Sequence, residues 1–108
     1  MTHSELAAAL LDSYDRGVLM GGPPSAQTAG FSMTDAYALA ELNRQRRTAR
    51  GERALGYKIG FTNRSIWDRY GVHAPIWGSV WDSTVQLLDT THGHASLHRL
   101  VRRVSNPK

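Results

Sequence analysis

Residues Leu55–Asp82 read LGYKIGFTNRSIWDRYGVHAPIWGSVWD, and the opening of this stretch decides the fold. From Ala54 to Thr62 the residues alternate as a strand does. Leu55, Tyr57, Ile59 and Phe61 point to one face, and Gly56, Lys58 and Gly60 to the other. Lys58 therefore stands on a face stripped bare by two glycines. Glycine weakens a strand interior, so a pair flanking one charge marks backbone that something approaches closely. An exposed lysine among small residues is also how an edge strand avoids pairing with another chain, and the strand alone leaves both readings open.

The residues after the strand add to the first reading. Thr62 and Asn63 are suited to cap a short helix running through Trp67 and Tyr70. Gly71, Pro75 and Gly78 punctuate a loop that returns to a second apolar run, Trp77 to Val85. Upstream, two helices are predicted. The first runs from about His3 to Val18, with Thr2 and Glu5 as a capping box and Leu6, Leu10, Leu11, Tyr14 and Val18 as its apolar stripe. Gly17 is placed to end it. Leu19 to Gly30 reads as a loop; its glycines are followed by no Lys-Ser/Thr, which argues against a phosphate cradle. The second helix opens at Ser32, with Asp35 near its positive end and Met33, Ala36, Tyr37, Leu39 and Ala40 on its buried side. Arg44, Arg46, Arg47 and Arg50 crowd its last turns before Gly51. They read as a solvated helix end, or as a patch for an acidic partner or neighbouring subunit.

Composition limits what such a chain does. Its 108 residues allow one small domain. There is no cysteine, which suits a cytoplasmic protein, and no apolar run approaches the roughly 18 residues of a membrane span. The start MTHSELAAALLDSYD lacks the basic opening of a signal peptide. The net charge of +4 belongs to Arg99, Arg102, Arg103 and Lys108, because Lys/Arg and Asp/Glu balance before them. A short basic tail without interleaved aromatics is not a nucleic-acid groove. His92, His94 and His98 have spacings that suit zinc, but no cysteine or later acid completes a site.

The order Asp35-Ala36-Tyr37, then Gly56-Tyr57-Lys58-Ile59-Gly60-Phe61-Thr62, then Gly71-Val72 with Pro75 and Gly78, resembles the 2-keto-4-pentenoate (2-hydroxypenta-2,4-dienoate) hydratase branch of the fumarylacetoacetate hydrolase superfamily. The similarity covers about Leu6 to Val101 and corresponds to the first part of such an enzyme. It implies an α+β (mixed α/β) fold: two N-terminal helices and a short mixed or antiparallel sheet, an incomplete version of the family's fold. The expected boundaries are a single domain over 1–101 and a basic tail over 102–108.

The resemblance also implies chemistry. Such hydratases use a divalent cation, Mg²⁺ or Mn²⁺, to hold the 2-oxo or 2-enol acid while water adds across a conjugated double bond in aromatic meta-cleavage catabolism. A hard cation polarises the 2-oxygen, and a nearby lysine hydrogen-bonds the substrate or shuttles a proton. Lys58 is the expected catalytic residue, with Thr62, Asn63, Tyr70 and Asp82 as candidate substrate contacts. For Thr62 and Asn63 a capping role competes, for Tyr70 a role as pocket wall, and for Asp82 a turn or cap.

Two departures from the family pattern stand out. The acid that often follows the family's proline is Ile76 here, and the Glu-x-Glu metal motif has no counterpart where Arg102 to Lys108 stand. The chain is therefore expected to lack metal ligands, to be inactive alone, and to be of marginal stability as a monomer. Under either reading a homo-oligomer or association with a related full-length subunit is expected; the competing reading is a non-catalytic remnant or interaction subunit that pairs with a full-length paralogue. The related oxalocrotonate-type decarboxylase is not separated from the hydratase by these residues.

Overall fold

In a computed structural model of the chain, which describes residues 1–89 and 91–96, the first helix, α1 (His3–Arg16), begins where the Thr2 hydroxyl accepts the Glu5 backbone N–H at 3.1 Å. It ends where Gly17, at φ 64°, turns left-handed and donates its N–H to the carbonyls of Ser13 and Tyr14. Glycine takes that conformation without steric cost. The helix thus stops two residues short of Val18. A single turn, α2 (Pro24–Gln27), interrupts the stretch expected to be loop; proline opens it, and the Gln27 amide donates to the Gly22 carbonyl at 2.8 Å.

Helix α3 (Met33–Ala49) starts in a reciprocal cap. The Ser32 hydroxyl accepts the Asp35 N–H at 3.2 Å, and Asp35 Oδ2 accepts the Ser32 N–H at 2.8 Å. Asp35 stands where a capping box more often has glutamate. Its second oxygen lies 3.0 Å from His3 Nε2. These bonds, those from Ser32 first and the charge of His3 after them, hold the Asp35 carboxyl below its ordinary range. α3 ends with Gly51 N–H donating to the Thr48 carbonyl and Glu52 N–H to the Arg47 carbonyl, the paired bonds of a glycine-terminated helix.

The chain divides into two compact units, Met1–Gln45 with the segment after Val85, and Arg46–Val85. The first encloses Leu6, Ala7 and Leu39, flanked by Leu10, Phe31 and Leu42. The expected buried faces need correction. Tyr14, Val18, Met33 and Ala40 are exposed, because α3 turns the pair Leu39 and Leu42 inward and α1 buries its first turns.

The second unit holds β1 (Ala54–Gly60) and β2 (Ile76–Trp81), paired antiparallel with a bulge between Ala54 and Gly56. A 3-10 turn (Arg64–Ile66) and the single-turn α4 (Trp67–Tyr70) connect them. The architecture is therefore mixed α and β with a two-stranded antiparallel sheet, as expected. β1 is shorter than the sequence reading, since Phe61 leaves the strand at φ 57°. β2 ends at Trp81, and Asp82–Thr84 form a second 3-10 turn in place of a continuing run. The 102–108 tail lies outside the described residues.

Trp81, 6% exposed, is this unit's buried side chain among the described residues. The Arg47 guanidinium lies over its ring, 4.7 Å from the centroid. Glu52 gathers the rest of the node. Its Oε1 takes Arg47 Nη2 at 2.7 Å and the Ser83 hydroxyl, and its Oε2 takes Arg47 Nε at 3.1 Å and Arg50 Nε at 2.6 Å. The Arg47 hydrogen bonds, with Ser83 and Arg50 adding to them against the cost of desolvation, hold the Glu52 carboxyl at about 2. The arginines at the end of α3 are thus engaged within the chain, Arg44 with Glu41 at 2.6 Å among them.

Candidate functional site

The register of the hairpin sets Lys58 opposite Gly78, Gly60 opposite Ile76 and Gly56 opposite Val80. Directly opposed residues share a face, so three glycines surround the lysine, one more than its own strand supplies. A Cβ added at Gly56, Gly60 or Gly78 would meet nothing within 4 Å. The space at the three glycines beside Lys58 is therefore open, with Ile76 and Val80 as the diagonal neighbours on that face. The lysine is exposed, and its Nζ donates to the neighbouring Ile59 carbonyl at 2.7 Å rather than to a carboxylate. An ammonium held along its own backbone, with no acid against it among the described residues, is suited to take a small carboxylate.

The other face carries Tyr57 and Ile59 opposite Ser79 and Trp77. The Tyr57 and Trp77 rings meet edge to face at 5.1 Å, yet Tyr57 is 69% exposed and Trp77 48%. Trp67 is half-buried and Trp81 buried, so the three tryptophans have three different settings.

Of the candidate contacts, Thr62 and Asn63 follow the lysine strand directly. Thr62 is exposed, whereas Asn63 Oδ1 accepts the Ser65 N–H at 3.1 Å and the Ser65 hydroxyl at 2.6 Å, capping the 3-10 turn. Tyr70 is exposed and sets its ring edge-on to Phe61 at 5.9 Å. Asp82 belongs to the far end of the hairpin. Its N–H donates to the Arg53 carbonyl and its Oδ1 accepts the Arg53 N–H, both at 3.0 Å. At about 3.3 Å per residue, the four positions from Gly78, opposite Lys58, put it about 13 Å along the hairpin from the lysine. Lys58, Thr62, Asn63 and Tyr70 thus lie toward one end of the hairpin and Asp82 closes the other.

Among the described residues no group of three His, Cys, Asp or Glu side chains is arranged to hold a metal ion. His92 and His94 are exposed, and His98 lies outside the described residues. No described helix is long and apolar enough to cross a membrane. Sequence reasoning missed the Glu52 node and the left-handed Phe61. For the node, the signal was Arg47 and Glu52 straddling the helix-ending Gly51.

No family model matches the chain. Among curated proteins it is 36% identical over 63 residues to a 2-hydroxypent-2,4-dienoate hydratase of Pseudomonas putida, covering 58% of this chain and 28% of that enzyme. It is 39% identical over 52 residues to a 2-keto-4-pentenoate hydratase of Paraburkholderia xenovorans, covering 48% and 19%. Among solved structures it is similar to a 4-oxalocrotonate decarboxylase of Pseudomonas putida complexed with magnesium and adipate, with TM-score 0.67 and 28% identity over 74% of this chain and 30% of that one. The same decarboxylase complexed with calcium and acetate gives TM-score 0.64 at 26% identity. The chain thus spans less than a third of the length of these proteins, and the likeness read from its sequence is the one they bear out.

Proposed function

We propose that this chain, similar in its matched part to the 2-keto-4-pentenoate hydratases, supplies the lysine strand of a hydro-lyase that adds water to 2-hydroxy-2,4-dienoates. The observation that carries the reading is Lys58, an exposed amine opposite Gly78 and flanked by Gly56 and Gly60, with open space at the three glycines. There it grips the acid end of a 2-oxo or 2-hydroxy acid and moves a proton as water adds across the conjugated bond. Thr62 contacts the substrate beside it, and Tyr70 walls the tail. Asn63 contributes through the turn that it caps, and Asp82 by closing the hairpin rather than by touching substrate.

The family's Mg²⁺ or Mn²⁺ polarises the 2-oxygen when bound. The described residues do not fit such an ion. The Asp82 carboxylate is engaged by Arg53, and Glu52 by Arg47, Arg50 and Ser83. The role given to Lys58 therefore stands on hydrogen bonding and charge alone, with the cation held by other residues of a complete enzyme. Names among the curated relatives favour hydratase over decarboxylase.

The deciding assay follows loss of dienol absorbance with Mg²⁺ or Mn²⁺ present, for the wild type and for Lys58→Ala. Turnover that survives Lys58→Ala removes the reading. A second reading, an interaction subunit without turnover of its own, is favoured by the exposed apolar face of Tyr57, Ile59 and Trp77. Its outcome is co-purification with a full-length hydratase and no activity of the chain by itself.

A further inference from the structure

Phe61, at φ 57°, is the one non-glycine residue with a positive φ among the described residues. For a bulky side chain this conformation is costly, and no asparagine or glycine stands there to relieve it. It is held from within the same unit. The Trp67 indole donates Nε1–H to the Phe61 carbonyl at 2.9 Å, in a partly buried bond. The Arg64 guanidinium covers that indole at 5.4 Å, and Tyr70 packs edge-on against the Phe61 ring. The consequence falls on the lysine strand. Alternation would carry β1 on through Thr62, but the turn ends it at Gly60, two residues after Lys58.

We propose that Trp67 is a positioning residue: by holding the Phe61 carbonyl, its indole N–H keeps the left-handed turn closed and fixes the course of the chain from Lys58 to Thr62 beside an acidic ligand. The ligand rests on the function proposed above; the clamp does not. Glycine takes the left-handed conformation freely, so Phe61→Gly makes the clamp redundant, which a merely packing indole would not become. The Phe61–Tyr70 contact is kept in both proteins of the Phe61 pair and absent from both of the Phe61→Gly pair, so it cancels within each.

The test uses the full ¹⁵N-labelled chain with Trp67→Phe, Phe61→Gly and the double variant. In the wild type, the Trp67 indole proton exchanges at least about tenfold more slowly than that of a free indole; an equal rate overturns the clamp. Trp67→Phe displaces the amide resonances of residues 58–62 when Phe61 is present and leaves them in place in the Phe61→Gly background. Equal displacement in both, or none in either, overturns the proposal. Should Trp67→Phe fail to fold, the double variant folds, and a failure of both alike also overturns it. Titration with adipate then tests the positioning. Trp67→Phe weakens binding about tenfold with Phe61 present and less than about twofold in the Phe61→Gly background. Unchanged binding overturns the positioning role. If the wild type takes up no adipate, the functional reading falls, and the exchange and amide results still judge the clamp.

Discussion

Replacing Glu52 by glutamine removes one charge from the node that ties the end of α3 to Ser83, at nearly constant shape. In the wild type this carboxyl is drawn from its ordinary 4.5 to about 2, first by the Arg47 hydrogen bonds. At about 1.36 kcal/mol per pH unit the full shift sets a ceiling of roughly 3 kcal/mol. Arg50 and Ser83 approach Glu52 from exposed positions, so screening leaves about 1–2 kcal/mol. A depressed carboxyl stabilises the fold above its unfolded value and loses that contribution as pH falls through the folded one. Glu52 therefore contributes fully above about pH 5 and fades between 4.5 and about 2. All three tryptophans lie in Arg46–Val85, so their fluorescence follows this unit alone. In urea at pH 7, Glu52→Gln shifts the midpoint down by about 1 M, from a slope near 1 kcal/mol per M for so small a unit. At pH 2 the two proteins converge. A variant as stable as wild type at pH 7, or a deficit that persists unchanged at pH 2, would refute the reasoning.

Gly78→Ala is expected to leave urea stability within about 0.5 kcal/mol, since an added Cβ meets nothing within 4 Å, while weakening uptake of a small dicarboxylate in a titration; a destabilised variant with binding intact would make the glycine structural. Asp82→Ala lowers the fluorescence-detected urea midpoint by less than Glu52→Gln and leaves dicarboxylate affinity unchanged, because its oxygen serves the Arg53 amide about 13 Å along the hairpin from the lysine. Leu39→Ala, at 2% exposure in the core of the first unit, costs about 2–5 kcal/mol, read as lost helical circular dichroism in a thermal melt.

The helices were legible because their ends are local. Thr2, Gly17, Ser32, Asp35 and Gly51 act on backbone groups within five residues, and each does what its chemistry prescribes. The lysine strand was legible for the same reason, since alternation needs no distant partner. Its end was not. Phe61 carries no turn signal, and the bond that holds it comes from an indole six residues later. The third glycine beside Lys58 appears only through the cross-strand register, and the Glu52 node joins residues 31 positions apart. Asp82 is a candidate contact in the sequence as the nearest carboxylate downstream of Lys58, with a turn or cap role in competition; antiparallel pairing sets it at the far end of the hairpin, bonded to Arg53.

A unit whose enclosed apolar group is a single indole under a guanidinium has little hydrocarbon to wet when it opens. Its unfolding heat capacity should be small, and its enthalpy with it. Such a unit loosens over a wide span of temperature instead of melting at one. Added salt, which screens arginine from glutamate, would broaden that span further.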